Sequence, residues 1–241
     1  MFGPEALSSR LKGRGQHASR LSCAGLRRQQ RIVLSAVSTD VTPDPIGADQ
    51  VRRLTALGRT PSDRELLARA FHELDVSHHL AAKMAATPHL AAIMAEFVSR
   101  LTDAFGSLAT VRGQTVLDIA CGSNSSRSPV TNMPTAEFEP WMCRLLVELG
   151  ARPVGIDIGD LDGEAFEHHR VDLGVPGALD FLPSGSFDAV HESRLFGSPE
   201  FRAKHASATE RIRREIHRQE RRLLRPGGIL IHSDGRPATR G

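Results

Sequence analysis

From residue 113 onward the chain alternates short β-like runs with helical stretches, and this rhythm limits the folds open to it. The runs are TVLDIA (115–120), RPVGIDI (152–158), HHRVDL (168–173), SFDAVHES (186–193) and GILIHSD (228–234). Helical patterns fall between them near 140–149 and near 199–224, the second with Ile212, Ile216, Leu223 and Leu224 at helical spacing. A strand followed by a crossover helix returns to the same end of the sheet, so successive strands run parallel. The pattern predicts an α/β layer with a mostly parallel sheet and helices on both faces. In such a sheet, ligands bind outside the carboxyl ends of the strands, where strand order reverses. Asp118, Asp157 and Asp172 sit at those ends, the first followed by a turn of small residues, Ala120-Cys121-Gly122.

Two segments precede this region. Residues 1–45 are rich in Arg and Ser. Through residue 39 they hold seven basic residues against Glu5 alone, so the net charge of +3 belongs to this tail and the rest of the chain is net acidic. A targeting segment, an arm drawn to nucleic acid or membrane, and a disordered tail all have that composition. RIVLSAV (31–37) is a spare strand candidate within it. Residues 46–112 form a helical extension. Thr60-Pro61-Ser62-Asp63 reads as a helix start, with Thr60 as cap and Asp63 reaching back. Leu66, Leu67, Ala70, Phe71 and Leu74 follow at helical spacing, and a second helix is predicted from Pro88 to Phe105.

Composition narrows the classes further. No apolar run reaches the roughly 20 residues that span a bilayer. Cys23, Cys121 and Cys143 form no CxxC pair, which argues against a disulfide scaffold and a structural zinc site and suits a cytoplasmic setting, or an organelle if the tail is a transit peptide. Tyrosine is absent and tryptophan occurs once, so stacking surfaces for single-stranded nucleic acid are sparse.

The motifs resemble those of the class I S-adenosylmethionine-dependent methyltransferases, whose fold is Rossmann-like. The resemblance covers residues 113–234. It rests on Asp118-Ile119-Ala120-Cys121-Gly122-Ser123-Asn124, on VGIDI ending at Asp157, on RVDL with Asp172, on Phe187-Asp188-Ala189-Val190, and on Leu224-Arg225-Pro226-Gly227-Gly228 before a last strand. It implies S-adenosyl-L-methionine as cofactor. Asp157 would accept from the ribose hydroxyls, and Asp118, Ala120 and Gly122 would place the methionine end. Asp172 and Leu173 would lie at the adenine. For each acid, a purely structural or surface role is the competing reading. A nicotinamide dinucleotide fits less well, because no GxGxxG follows the first strand.

After the fourth strand, His191 and Glu192 are candidate bases for deprotonating a methyl acceptor, against the plainer reading of strand-end residues bonded to backbone. The doublets His78-His79 and His168-His169 point to opposite faces if extended, so no metal is predicted. A small-molecule acceptor is favoured by elimination, since the net acidic body disfavours nucleic acid. A non-catalytic module that keeps the sheet is the alternative.

The sequence also departs from the family pattern. Ala120 and Asn124 stand where glycines are usual, with Asn124 able to adopt a left-handed backbone. Asp118 and Asp157 are 39 residues apart, and the Ser-, Pro- and Asn-rich stretch 123–140 is either a lid or a neutral insertion. The family sheet has two further strands, whereas nine residues follow His232. The sheet is therefore expected to be shorter or completed by another segment, its edge covered by the N-terminal helices or by a homodimer partner.

Overall fold

The computed structural model describes residues 45–87, 89–125, 127, 135–192, 194–232 and 236–241. The tail to residue 44, with its strand candidate at 31–37, and most of the 126–134 stretch lie outside the described residues.

Six strands form one sheet in the order β3-β2-β1-β4-β5-β6. They are β1 (Thr115–Ile119), β2 (Arg152–Asp157), β3 (Glu167–Arg170), β4 (Phe187–Glu192), β5 (Leu224–Ile231) and β6 (Thr239–Arg240). The first five are parallel, and β6 pairs antiparallel with β5. The chain steps outward from β1 to β3 and then returns to lay β4 beside β1. Strand order reverses there, which opens a crevice at the carboxyl ends of β1 and β4. This is a Rossmann-like α/β fold.

Side-chain alternation along each strand divides the core between two faces. Val116, Ala189, Ile229 and Ile231 pack on one face against helices α1 (Pro45–Thr55), α2 (Pro61–His78), α3 (Leu80–Ala86), α4 (Leu90–Phe105) and α5 (Trp141–Glu148). Leu117, Ile119, Val154, Ile156 and Val190 face the other way, toward Phe201 of α6 (Pro199–His205) and Ile212, Ile216 and Leu223 of α7 (Thr209–Leu223). The helices of 45–105 share one core with the sheet. Buried Leu67, Phe71, Leu80, Met94 and Trp141 cluster with Val116 and Ala189.

Several local expectations meet their outcome here. The single helix expected over 199–224 is broken by a 3-10 turn at Ala206–Ala208. The helix predicted from Pro88 to Phe105 is α4, the fourth of the N-terminal region, and starts at Leu90. Leu224-Arg225-Pro226-Gly227-Gly228 is an irregular start of β5: β4 advances from Phe187 to Ala189 while β5 advances from Leu224 to Ile229. Pro226 brings no N–H, and Gly227 takes φ +74°, a region open to glycine. The outer edge of β5 is covered by the chain's own β6, through Ile229 opposite Arg240 and Leu230 opposite Thr239.

The start of α2 has a reach beyond its own helix. Thr60 Oγ1 accepts from Asp63 N at 3.0 Å and Asp63 Oδ2 accepts from Thr60 N at 3.3 Å, a reciprocal cap. The other oxygen, Oδ1, accepts from Ser107 Oγ at 2.8 Å and Leu108 N at 2.9 Å. Asp63 thus pins the turn after α4 to the start of α2 from a fully buried position. Burial alone would raise its pKa, but the hydrogen bonds from Ser107, Leu108 and Thr60 outweigh it and the value lies below the ordinary 3.8. A lowered carboxyl stabilises the fold above its unfolded value and loses that contribution as pH falls. Asp63→Ala is expected to cost about 2–4 kcal/mol at neutral pH, from a lost cap and two stranded donors. Urea unfolding should show the deficit shrinking as acid protonates Asp63 in the parent chain.

Candidate functional site

The cleft at the carboxyl ends of β1, β2 and β4 has a volume of about 1510 Å³. Its wall begins where β1 ends. Ala120 turns the chain at φ +59° and Gly122 at φ +94°. The left-handed residue is therefore Ala120, while Asn124, expected to be able to take that conformation, keeps an ordinary backbone and accepts from Arg144 Nη2 at 2.7 Å. Gly122 has no substitute, because a Cβ there would lie 2.2 Å from the Phe138 carbonyl oxygen. Successive loop amides are held by the protein itself: Cys121 N to Ile156 O at 3.0 Å, Ser123 N to Phe138 O at 2.8 Å and Asn124 N to Asp160 O at 2.8 Å.

Asp157 ends β2 and binds two loops at once. Its Oδ2 accepts from Gly122 N at 3.1 Å and its Oδ1 from Gly159 N at 2.7 Å. Burial raises its pKa above 3.8; the two glycine amides oppose the rise and the charge of Asp118 adds to it. The Ile158 amide also supports the charge, and a carboxylate with about four lone-pair sites keeps acceptor capacity for a ligand. Beside it, Ile158 lines the cleft and is 49% exposed, an apolar side chain left uncovered. On the facing rim, Asp172 accepts from Lys204 Nζ at 2.6 Å and from Gly174 N at 2.9 Å, with His205 Nε2 3.3 Å away. The Lys204 hydrogen bond holds its pKa below the ordinary value. Leu173 is buried and lines the same rim.

Ala120, Gly122, Asp157, Asp172, Leu173 and Glu192 therefore border one cleft. Asp118 and His191 do not. They stand opposite each other in register on β1 and β4, their side chains directed into the layer of α4 and α5, and both are fully buried. His191 Nδ1 meets Asp118 Oδ1 at 2.8 Å, His191 Nε2 meets Arg100 Nη1 at 3.0 Å, and Cys143 Sγ donates to Asp118 Oδ2 at 3.6 Å. Arg100 continues to Glu96, which also binds Arg194 on the cleft lip. The expected base and the expected methionine contact are thus members of a polar chain beneath the floor. Alternation explains it: Asp118 shares a face with buried Val116, two residues back. Among the described residues no group of three His, Cys, Asp or Glu side chains is placed to hold a metal.

Three acids lining the cleft, Glu137, Glu139 and Glu220, were not singled out from the sequence, and Glu220 is the most buried of them. Glu220 on α7 is 4% exposed yet lines the cleft. Burial, aided by the charge of Glu192, pushes its pKa up to about 7. The signal was available, because Glu220 follows Ile212 and Ile216 at intervals of four and so falls on the buried stripe.

No family model matches the chain, and no curated protein sequence matches it. Solved structures similar to it include the trans-methyltransferase CalH in complex with SAH, at 14% identity and TM-score 0.32, covering 78% of this chain and 68% of that one. Another is the selenomethionine-substituted CurJ carbon methyltransferase, at 14% identity and TM-score 0.32, covering 76% of this chain. The chain spans about half the length of that second protein, 47%. Among the described residues no helix is long and apolar enough to cross a membrane.

Two outcomes test the site's physics. Ala120→Gly should leave stability unchanged or raise it by up to about 1 kcal/mol, since relief of the left-handed strain offsets the added chain entropy. A clear loss in thermal unfolding would contradict the positive φ. Glu220 has a raised pKa, so its neutral form fits the fold, and stability is lost as pH rises from its ordinary 4.5 through about 7. Glu220→Gln should therefore exceed the parent by roughly 2–4 kcal/mol above neutrality and match it in mild acid, measured by urea unfolding across pH.

Proposed function

We propose that this chain is an S-adenosylmethionine-dependent methyltransferase acting on a small molecule. The observation that carries the reading is Asp157, a carboxylate at the end of β2 that lies on the cleft wall beside the strand-order reversal and is held by backbone amides alone among the described residues. Its remaining acceptor capacity suits the hydroxyls of a ribose, and charge-assisted hydrogen bonds of that kind are worth about 1.5–3 kcal/mol each. The surroundings fit the same group. Ile158 and Leu173 give apolar surface for a flat ring, and Gly122 and Gly159 keep the wall free of side chains. A Cβ on Gly159 would meet Ser123 Oγ at 2.2 Å.

When bound, S-adenosylmethionine supplies a methyl group on a positively charged sulfur that departs as a neutral thioether. The protein's share is to hold an acceptor in line with that methyl group. Alignment of this kind can lower a barrier by about 7–11 kcal/mol. A cleft of about 1510 Å³ exceeds the roughly 300–1,000 Å³ of a single-ligand pocket, which leaves room for an acceptor beside the donor. Asp118 and His191 act in this reading as positioning residues that hold the ends of β1 and β4 together, with Glu192 at the cleft surface.

A second reading has its own observation. Asp118 is sealed beneath the floor and Asp172 is already paired with Lys204, so two of the three strand-end acids are committed to the protein itself. A non-catalytic module would keep such a fold without the donor. The demethylated product, S-adenosylhomocysteine, decides between them. At 100 times its dissociation constant it should stabilise the chain by about 2.7 kcal/mol, read as a rise in melting temperature. Asp157→Ala should abolish the rise. No rise at millimolar ligand, or an equal rise in the variant, would overturn the methyltransferase reading.

A further inference from the structure

The side of the cleft bounded by β4 and α7 carries a feature that the donor does not use. Glu220 is almost completely buried and lines the cleft, and its carboxyl group makes no hydrogen bond or ion pair among the described residues. Buried carboxyl groups are ordinarily satisfied by hydrogen bonds, since desolvation without a partner is costly. Glu192, also on the cleft, is its acidic neighbour on β4. Apolar Phe97 of α4 and Phe196 after β4 line the cleft as well.

We propose that this side of the cleft binds the methyl acceptor through a primary amine carried on an aryl-alkyl body, and that Glu220 receives the ammonium proton. The proposal rests on the methyl-transfer reading above and adds the class of acceptor. Two neighbouring carboxyl groups favour a cation, which gains both their charge and their hydrogen bonds, over a neutral hydroxyl, which gains the hydrogen bond alone. An ammonium has no free electron pair, so methylation at nitrogen requires a base. Transfer of one proton converts the ammonium and the Glu220 carboxylate into a neutral amine and a carboxylic acid, with no further reactant. The amine nitrogen then holds the lone pair that bonding to carbon needs.

The charges around Glu220 are consistent with this role. Glu192 raises its pKa, and Arg221 on α7 and Arg236 after β5 oppose the rise. Both arginines are exposed, where solvent screens them. Arg213 is drawn off by Glu210 and by the Phe196 ring, 4.8 Å from its guanidinium. His217 on α7, His232 after β5 and Arg194 also line the cleft among the described residues. The balance leaves Glu220 at about 7, able to hold or release a proton near neutrality.

The probe is 2-phenylethylamine, titrated calorimetrically into the full chain with and without S-adenosylhomocysteine. Glu220→Gln should weaken amine binding about tenfold or more, as expected for a lost charge-assisted hydrogen bond, and leave S-adenosylhomocysteine binding unchanged. In the parent chain, amine affinity should fall as pH drops below the Glu220 value of about 7, while the variant stays flat. That second measurement needs no variant and holds even if the substitution perturbs folding. Equal affinity in parent and variant, a pH-independent affinity in the parent, or no amine binding at millimolar concentration would overturn the proposal. Product binding with Glu220-independent amine binding removes this inference and keeps the donor reading. Glu220-dependent amine binding without product binding removes the donor reading, and with it the role of the amine as methyl acceptor, and leaves only an amine site.

Discussion

The site depends on one carboxylate that joins two loops. Asp157 takes an amide from the turn after β1 and another from the turn after β2, and so fixes the floor between them. Every other feature of that wall follows from the closeness this imposes. Gly122 and Gly159 have no room for a Cβ, Ser123 packs on Gly159, and Ala120 accepts a left-handed backbone to bring the loop round. The carboxylate is partly desolvated, and its charge is supported by backbone dipoles with no cation among its partners. A group held that way is preorganised to accept further donors, which is what a ribose presents.

Charge in this protein is layered. Under the sheet's end, Asp118, His191, Arg100 and Glu96 form a hydrogen-bonded chain that reaches the lip at Arg194. Each member has a partner, so the burial is tolerated. Above the floor the rule changes. Glu192 and Glu220 are both acids that share a cavity, and among the described residues Glu220 has no countercharge in contact. Paired groups below and an unpaired acid above separate the parts that hold the fold from the part open to chemistry.

Much of the fold was legible in the sequence because strand and helix periods are local signals. The runs 115–120, 152–158 and 186–193 became β1, β2 and β4 within a residue at each end, and Thr60 and Asp63 cap α2 in the way their spacing implied. The candidate site was less legible. Asp118 and Asp157 both end strands, yet one side chain turns under the sheet and the other to its rim. That difference is one of depth along the sheet: Asp118 is paired with Gly155, and Asp157 lies on the same face two residues nearer the strand ends. Glu220 was hidden for the opposite reason. It sits on a helix with many arginines, where an acid looks like ordinary surface until the apolar stripe is drawn through it. The β6 strand, two residues long, is too short to leave a periodic trace.

Gly155 on β2 has one more consequence. Lacking a side chain, it makes room for Cys121 Sγ and Cys143 Sγ, which a Cβ there would meet at 2.9 and 3.5 Å. Burial holds the Cys143 thiol well above its usual pKa, and Cys121 is raised as well even though its hydrogen bond with Cys143 works the other way. Thiols so protected react slowly with disulfide reagents until the turn beyond β1 opens. The two sulfurs form a native clock for that opening, running from inside the wall that would face the nucleoside.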